Sequence, residues 1–358
     1  MSILGAVLLL SVLIIVHEFG HFIFAVATGM KVDRFSVIGI GPPVLRLFTW
    51  RGTEFVIAAI PFGAYVHIVG MEAPDAAELA EEKRAREACL AEGKEDETKY
   101  LFRNRPVWAR ILTILGGPLA NYVAAMVIVF ALFSVAGARD ASVAHVDQVL
   151  SETAQQAGVT RGDVLVSIGG DSVQGGRAFN KVEKAAGDHK GTTAPIVVER
   201  AGETVTLDVP IDENGKIGIQ MTNPYVPVSI GQAAYFGVRE PIEITKAQLS
   251  GLYKVIVGKD KAEVGGPVAI VNVIKQSADE GLRQFVWMGA FISTILGMFN
   301  LLPIPALDGG RLAFLGVEAI IRKRASPNLE EKIHGYGMLA LLVLILIVTI
   351  RDIGKLFG

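Results

Sequence analysis

The sequence predicts a membrane α-helical protein with four transmembrane helices, a membrane-reentrant β-hairpin after the first helix, and an α+β unit inserted between the second and third. Three observations predict this fold class. Of the 358 residues, 51% are hydrophobic and only 20% are charged, against roughly 25% charged in ordinary soluble domains. The apolar residues are concentrated in four blocks. Strand-like alternation follows the first block, and a compact mixed stretch follows the second.

Composition excludes several classes of function. A lone Cys89 cannot form an intrachain disulfide, and 34 basic against 36 acidic residues give a net charge of −2. A chain this close to neutrality offers no basic surface for nucleic acid, so no nucleic-acid partner is expected. The first apolar block has no preceding basic residue and no small-residue cleavage site, so it is predicted to be a retained helix and not a signal peptide.

The four blocks are predicted to span the lipid bilayer. A spanning helix needs about 20 mostly apolar residues, and the predicted spans are 1–30, 107–138, 284–312 and 333–352. Basic residues are dense in 31–110 and in the turn 322–332, whereas none precedes the first helix. Because basic short loops stay in the cytoplasm, both of these segments are expected to be cytoplasmic, with the N-terminus and residues 139–283 outside.

The loops differ in character. Residues 31–70 hold two strand-like stretches, the first broken at Pro42 and Pro43, joined by turn residues at 50–52. This hairpin is too apolar for a solvent-exposed loop, so it is expected to dip into the membrane. Residues 71–106 are charged and are expected to include a solvated surface helix without chemistry. Residues 223–283 are predicted to form amphipathic membrane-surface segments, with 264–267 leading back to the membrane.

The compact unit 141–222 combines strands near 146–150, 195–200 and 203–209 with helices near 154–158 and 177–187. Its run 157–170, Ala-Gly-Val-Thr-Arg-Gly-Asp-Val-Leu-Val-Ser-Ile-Gly-Gly, resembles bacterial PDZ domains in their permuted form, and one copy is visible. The segment Ile217, Gly218 and Ile219 is either the carboxylate-accepting loop of such a domain or a plain closing strand.

The chemistry is concentrated in an HExxH motif, His17-Glu18-Phe19-Gly20-His21. Helical residues four apart share a face, so His17 and His21 can bind one metal ion. Glu18 is placed to take a proton from water as general base. Ionisable residues within an apolar helix are costly unless partnered and are functional by default. A proton relay in a transporter would not need the histidine spacing, so a zinc site is predicted.

A third ligand is expected from Asp308, at the end of the third apolar block. Pro303, Pro305 and Gly309 interrupt helical hydrogen bonding beside it, as expected for backbone that lines a cavity. The alternative for Asp308 is an ion pair with Arg311 at a helix end. Asn300, about two turns before Asp308, could bond a neighbouring helix or an unwound substrate backbone, and the residues alone leave both roles open.

Together these residues resemble the site-2 protease family of intramembrane zinc metalloproteases, in its bacterial RseP-type branch. The resemblance covers nearly the whole chain, including the segment 117–121 (Gly-Pro-Leu-Ala-Asn) and the run around Asp308. It implies His17, His21 and Asp308 as zinc ligands and Glu18 as the catalytic glutamate. It implies Asn300 as a substrate contact, and Gly39, Gly41, Pro303 and Pro305 as further substrate contacts.

The resemblance also implies a role. Family members make the second cut in regulated intramembrane proteolysis, after a site-1 protease has trimmed a single-span substrate such as an anti-sigma factor or a signal-peptide remnant. It further implies a bacterial inner membrane, with the active site toward the cytoplasm. The branch has tandem PDZ domains, whereas only 141–222 fits here. A non-proteolytic PDZ scaffold with structural zinc is the alternative, and it predicts a damaged motif, whereas Glu18 is intact.

Overall fold

The computed structural model describes residues 3–61, 63–72, 74, 76–259, 265–324 and 326–357. The chain divides into two compact units, one formed by Met1–Leu132 with Ala234–Gly358 and the other by Phe133–Ala233. The described helices are α1 Ile3–Ala27, α2 Ala76–Ala91, α3 Val107–Ala136, α4 Glu152–Gln156, α5 Ala178–Asp188, α6 Ile230–Ile256, α7 Pro267–Asp279, α8 Leu282–Leu301, α9 Asp308–Ile321 and α10 Pro327–Phe357. The described strands are β1 Val32–Ile38, β2 Ile40–Trp50, β3 Thr53–Ile60, β4 Tyr65–Ile68, β5 Ala138–Arg139, β6 Ala144–Val149, β7 Val164–Ile168, β8 Asp171–Ser172, β9 Thr193–Arg200, β10 Glu203–Pro210, β11 Ile219–Thr222 and β12 Tyr225–Val226.

Four of the described helices, α1, α3, α8 and α10, are long and apolar enough to cross a membrane. They coincide in position with the four predicted spans, and the largest differences are at the ends of the third and fourth. The predicted span 284–312 is two helices, because α8 ends at Leu301 and α9 begins at Asp308. Pro303 and Pro305 lie between them and lack the N–H that a continuing helix needs. The fourth helix begins at Pro327, so it is longer than the predicted 333–352.

The predicted hairpin is part of a larger, mixed sheet with strand order β2-β3-β1-β4. β2 and β3 are antiparallel across the predicted turn, where Arg51 and Gly52 have positive φ. β1 lies parallel to β3 and antiparallel to β4. The predicted break at Pro42 and Pro43 is wrong, because β2 runs through both. An edge strand tolerates proline, since its outer side needs no donor, and the chain turns instead at Gly39, with φ +91°.

Aromatic rings join this sheet to α1. Phe22 lies 5.5 Å from Phe35 of β1 and 5.6 Å from Phe55 of β3 between ring centroids, and both Phe22 and Phe35 are 2% exposed. Edge-to-face pairs of this kind stabilise by roughly 0.5–1.5 kcal/mol beyond their buried area. Because Phe22 follows His21 directly, this contact fixes the rotation of the helix that carries the HExxH motif.

The remaining segments of this unit are surface helices and their attachments. α2 is exposed along most of its length, in agreement with the predicted solvated helix, and its Glu82 accepts hydrogen bonds from Arg103 and Asn104. The predicted amphipathic segment 223–283 contains α6 and α7. Asp352 of α10 accepts hydrogen bonds from the backbone N–H of Gly266 and Ala269 at the start of α7, at 2.8 and 3.1 Å. Residues 260–264, which include the start of the predicted return 264–267, lie outside the described residues.

The unit Phe133–Ala233 is an α+β fold with its own core. Its main sheet has the order β10-β9-β7-β6-β11, with β8 beside β7. α5 coincides with the predicted helix at 177–187, and its Val182 and Ala186 pack in a core with Val146, Leu165 and Ile196. The segment predicted as loop or strand holds both: Ile217 is buried in the core, the carbonyl of Gly218 accepts from Leu150 and Ser151, and Ile219 begins β11.

A charged pair holds the turn before β7. Asp163 is 1% exposed and accepts hydrogen bonds from Arg200 at 2.7 and 2.8 Å and from Thr160. Burial alone raises the pKa of the Asp163 carboxyl, but the bonds from Arg200 and Thr160 outweigh it and hold the pKa below its ordinary value. The folded unit therefore favours the ionised carboxylate.

We expect Arg200→Gln to destabilise this unit by about 1.5–3 kcal/mol at neutral pH, because a buried carboxylate loses charge-assisted hydrogen bonds. Since folding lowers the pKa of Asp163, its stabilisation is full above the unfolded value near pH 4 and is lost as the pH falls through the folded value. Hydrogen–deuterium exchange of β7 in the full-length protein, corrected for intrinsic rates, measures this. Arg161→Gln is the matched control, because Arg161 is exposed and its ion pair with Asp147 is worth little. Equal protection of β7 in the two variants would contradict the assignment.

Candidate metal centre

The three predicted ligands meet in the unit that holds the spans. His17 and His21 lie one turn apart on α1, and their Nε2 atoms are 3.2 Å apart. Asp308 opens α9, and its Oδ2 lies 3.1 Å from His17 Nε2 and 3.4 Å from His21 Nε2. The alternative ion pair between Asp308 and Arg311 is not formed, because the carboxylate faces the two imidazoles. Residues almost 300 positions apart in sequence thus present three electron-pair donors to one point.

These separations fit a zinc ion. Zinc–nitrogen and zinc–oxygen bonds of about 2.0–2.1 Å at tetrahedral angles place ligand atoms about 3.3 Å apart, close to the three distances observed. Asp308 Oδ2 is buried and has no hydrogen-bond partner among the described residues. An unpaired carboxylate oxygen in such surroundings is costly, and a cation satisfies it. Three protein ligands also leave one tetrahedral position for water or substrate, as in catalytic zinc sites.

The second nitrogen of each imidazole has its own partner on α3. His21 Nδ1 donates to the backbone carbonyl of Thr113 at 2.9 Å. The side-chain amide of Asn121 lies 3.2 Å from His17 Nδ1. When Nε2 binds metal, Nδ1 carries the proton and needs an acceptor. Asn121 Oδ1 is buried without a partner in the described part of the chain, so the amide orientation that turns Oδ1 toward His17 satisfies both groups.

Glycines allow α1 and α3 to approach this closely. A Cβ at Gly20 would lie 2.1 Å from the carbonyl oxygen of Gly116, and one at Gly116 would lie 2.5 Å from that of Gly20. A Cβ at Gly117 would lie 2.4 Å from His21 Nε2 and 2.7 Å from His17 Nε2. The helices therefore touch backbone to backbone, and the space over the two imidazoles exists because Gly117 has no side chain.

The centre opens into a catalytic cavity of about 400 Å³. Glu18 lines it, and its Oε2 accepts a hydrogen bond from the backbone N–H of Val66 in β4 at 3.1 Å. Among the described strands, β4 lies at the outer edge of the sheet and pairs with β1 alone, and this bond places its free edge at Glu18. Asn300 also lines the cavity, with Leu296 one turn earlier on α8.

The other predicted contact residues lie outside the cavity lining. The N–H of Gly39 donates to Gly63 at 2.7 Å, and the carbonyl of Gly41 accepts from Tyr65 at 3.3 Å, so both glycines border the strand connection beside β4. Pro303 and Pro305 belong to the segment between α8 and α9, where Pro305 packs closely on Gly337 of α10. Ile217, Gly218 and Ile219 belong to the other unit.

Two contacts hold Asp308 in place. Ala306 has φ +75°, and its N–H donates to His334 Nδ1 on α10 at 3.0 Å. Arg110 of α3, 5% exposed, makes a bidentate ion pair with Glu318 of α9 at 3.0 and 2.5 Å. Bidentate arginine–carboxylate pairs are directional as well as strong. The pair between Arg110 and Glu318 therefore fixes α9, and hence its first residue Asp308, relative to α3, which supports the histidines.

Sequence reasoning missed four contributors to this centre. Asn121 lies in a segment that carried the family resemblance, and its signal was an amide in the middle of an apolar helix, which is costly unless bonded. Gly117 precedes Pro118 in the same segment. The carbonyl of Thr113 and the N–H of Val66 are backbone groups, which no residue pattern identifies.

We expect Gly117→Ala to lower the zinc content of the purified protein to a small fraction of one ion per chain, because the new methyl group collides with both Nε2 atoms. Elemental analysis of protein purified in detergent measures the bound zinc. Gly316→Ala is the matched control, since a Cβ there meets no heavy atom within 4 Å. Full zinc occupancy in Gly117→Ala would show that the ion is held elsewhere.

We expect Asn121→Leu to weaken zinc binding about 10- to 100-fold, the usual cost of losing an outer hydrogen bond to a ligating histidine. Asn121→Asp keeps an acceptor for His17 and should retain most of the affinity. Competition with a chromophoric chelator gives both values. Equal losses in the two variants would mean that Asn121 acts through packing alone.

Comparison with known proteins agrees with this geometry. The family model described as "Peptidase family M50" matches residues 5–345. A protein of Agrobacterium fabrum named "Putative zinc metalloprotease" is 31% identical over 98% of this chain and 95% of its own length. One of the same name from Clostridium perfringens is 31% identical over 99% and 98% of the two chains. The "Regulator of sigma-W protease RasP" of Bacillus subtilis is 28% identical over 99% of both. The chain therefore belongs to peptidase family M50, the site-2 protease family, and is a membrane zinc metalloprotease.

Proposed function

We propose that this protease hydrolyses peptide bonds within the transmembrane segments of single-span proteins that a site-1 protease has already trimmed. The observation that carries the proposal is the position of the centre: His17, Glu18 and His21 lie inside a helix whose apolar stretch, Leu4–Ala27, is long enough to span a bilayer. A soluble substrate does not reach residues within the bilayer, whereas a membrane-embedded peptide lies at the same depth as these residues.

The residues present account for hydrolysis. His17, His21 and Asp308 would hold the zinc ion, which would supply a Lewis acid for the scissile carbonyl and make bound water more acidic. Glu18 takes the proton from the attacking water and delivers it to the leaving nitrogen. The N–H of Val66 donates to Glu18 and so orients this carboxylate toward the cavity. Thr113 and Asn121 hold the two imidazoles in the orientation that ligation requires.

Substrate is proposed to bind as an extended strand. The free edge of β4 lies at Glu18, and strand addition to such an edge satisfies the backbone groups of an unwound peptide. Asn300, on the cavity wall, offers an amide to the same backbone. Gly39 and Gly41 are proposed to contact substrate beside this edge, and Pro303 and Pro305 to contact it from the segment between α8 and α9.

The wider setting follows the family resemblance and is proposed with it. The sheet of β1–β4 re-enters the membrane, with exposed apolar side chains along β2, namely Ile40, Val44, Leu45, Leu47, Phe48 and Trp50. The unit 141–222 acts as a periplasmic PDZ domain, with the loop at 217–219 accepting peptide carboxylates. The protein lies in a bacterial inner membrane with its active site toward the cytoplasm. Its substrates are anti-sigma factors or signal-peptide remnants. The name of the Bacillus subtilis relative, a regulator of sigma-W, supports the first of these two classes.

We expect Glu18→Gln to lower the rate of cleavage of a tagged single-span substrate by about 10²- to 10⁴-fold, the usual contribution of a general base. The variant should keep its zinc, because Glu18 is not a ligand. Detergent-purified protein, a substrate lacking its outer domain and mass-spectrometric mapping of the cut provide the measurement, and a zinc chelator should abolish the wild-type activity.

Glu81→Gln is the matched control, since Glu81 is exposed on α2 and does not line the catalytic cavity. Its cleavage rate should equal that of the wild type. A cut mapped outside the apolar segment would contradict intramembrane proteolysis, although not the zinc protease.

A further inference from the structure

We propose that Arg311 binds the carboxylate that peptide-bond hydrolysis creates, and that a second cavity beyond it receives the fragment ending in that carboxylate. The inference rests on the proposed function in one respect, namely that hydrolysis takes place in the catalytic cavity. Arg311 lies one turn after Asp308 on α9, so the two side chains share a face of the helix. Arg311 lines the catalytic cavity and also a larger cavity of about 980 Å³.

The two cavities adjoin at this arginine. Met71, Ala306 and Arg311 line both of them. The larger cavity has apolar walls in addition to its charged residues, contributed by Leu79, Phe102, Leu315 and Met338. A peptide fragment leaving the catalytic cavity past Arg311 would therefore find surface for the apolar side chains of a transmembrane sequence.

Arg311 differs from Arg103 and Arg110, which lie near it, in having no acidic partner. Arg103 is paired with Glu82, and Arg110 with Glu318. Arg311 is half-buried and has no hydrogen bond or ion pair with any described residue, and Asp308 is committed to the histidines. A partly desolvated guanidinium without a partner is unfavourable, and a carboxylate, bound through two parallel hydrogen bonds, is the group that fits it.

A second donor lines the larger cavity. His334 Nδ1 accepts from Ala306, so the neutral imidazole carries its proton on Nε2. That Nε2 is buried and has no hydrogen-bond partner among the described residues. His334 Nε2 therefore lacks a hydrogen-bond acceptor, and His334 lines the same larger cavity as Arg311.

Hydrolysis supplies such an acceptor. The C–N bond breaks, the hydroxyl of water joins the carbonyl carbon, and a proton goes to the nitrogen. One fragment then ends in a carboxylate and the other begins with an amine. The carboxylate did not exist in the substrate, so the guanidinium of Arg311, which lines both cavities, favours the product over the uncleaved chain.

The experiment compares two fluorescent peptides of identical apolar sequence, one ending in a free carboxylate and the other in a carboxamide. Binding is measured by anisotropy to the full-length, zinc-loaded protein in detergent, and the part of the preference that depends on Arg311 is obtained by comparing variants that share the same metal centre. We expect the wild type to bind the acid at least about tenfold more tightly than the amide, as for a hydrogen bond to a charged group. Arg311→Gln should lower this preference about tenfold, and Arg311→Lys should keep part of it.

Arg324→Gln is the matched control, because Arg324 lines the larger cavity only, and it should keep the full preference. Equal binding of acid and amide by the wild type overturns the proposal, as does an unchanged preference in Arg311→Gln. If Arg311→Gln and Arg324→Gln lower the preference for the acid equally, the preference arises from the overall positive charge of the cavity. This result also overturns the proposal. Cleavage by the zinc-loaded wild type is assayed separately, so that failure of the proposed function is distinguished from failure of this site.

Discussion

Three electron-pair donors held within 3.1–3.4 Å of one another, inside an apolar helix bundle, form the constraint on which this structure depends. Without a cation, two imidazole nitrogens and a carboxylate oxygen at these distances leave lone pairs facing one another. With a cation, the same contact ties α1 to α9 across the bundle. A metal ion here is thus part of the fold as well as of the chemistry, because metal-binding free energy stabilises whatever conformation assembles the ligands.

α3 is the helix that makes this contact possible. Its glycines at 116 and 117 bring its backbone against α1 and leave room over the imidazoles. One turn to either side, Thr113 and Asn121 then lie close enough to bond the outer nitrogens. The first turn of the same helix contains Arg110, which binds Glu318 of α9. One helix therefore orients the histidines and, through α9, the aspartate.

The parts of the centre that sequence could predict are those encoded by local spacing. The four-residue interval of His17 and His21 determines a shared helix face, and the prolines before Asp308 mark broken backbone. The contributions of Gly117 and Asn121 depend on which helix packs against α1, and this long-range contact is not encoded in any local spacing.

In the sheet, too, local features were predictable from sequence and long-range pairings were not. The turn at Arg51 and Gly52 was predictable from turn chemistry, whereas the parallel pairing of β1 with β3 joins strands that are not adjacent in sequence. The expected break at Pro42 and Pro43 failed because proline disrupts a strand only where its N–H is needed, and β2 lies at an edge.

Under the proposed function, the position of β4 explains how a helical substrate is cut. A transmembrane helix satisfies its backbone groups internally, and each group exposed in hydrocarbon costs several kcal/mol. Extending the residues around a scissile bond breaks several such hydrogen bonds at once. A free strand edge can replace them, but only if the new partners are at hand where unwinding occurs. Because Val66 of β4 bonds directly to Glu18, the edge that compensates the unwound backbone and the base that activates water are adjacent. Extension of the substrate and its hydrolysis are thereby confined to one place, and residues that remain helical are not presented to the metal.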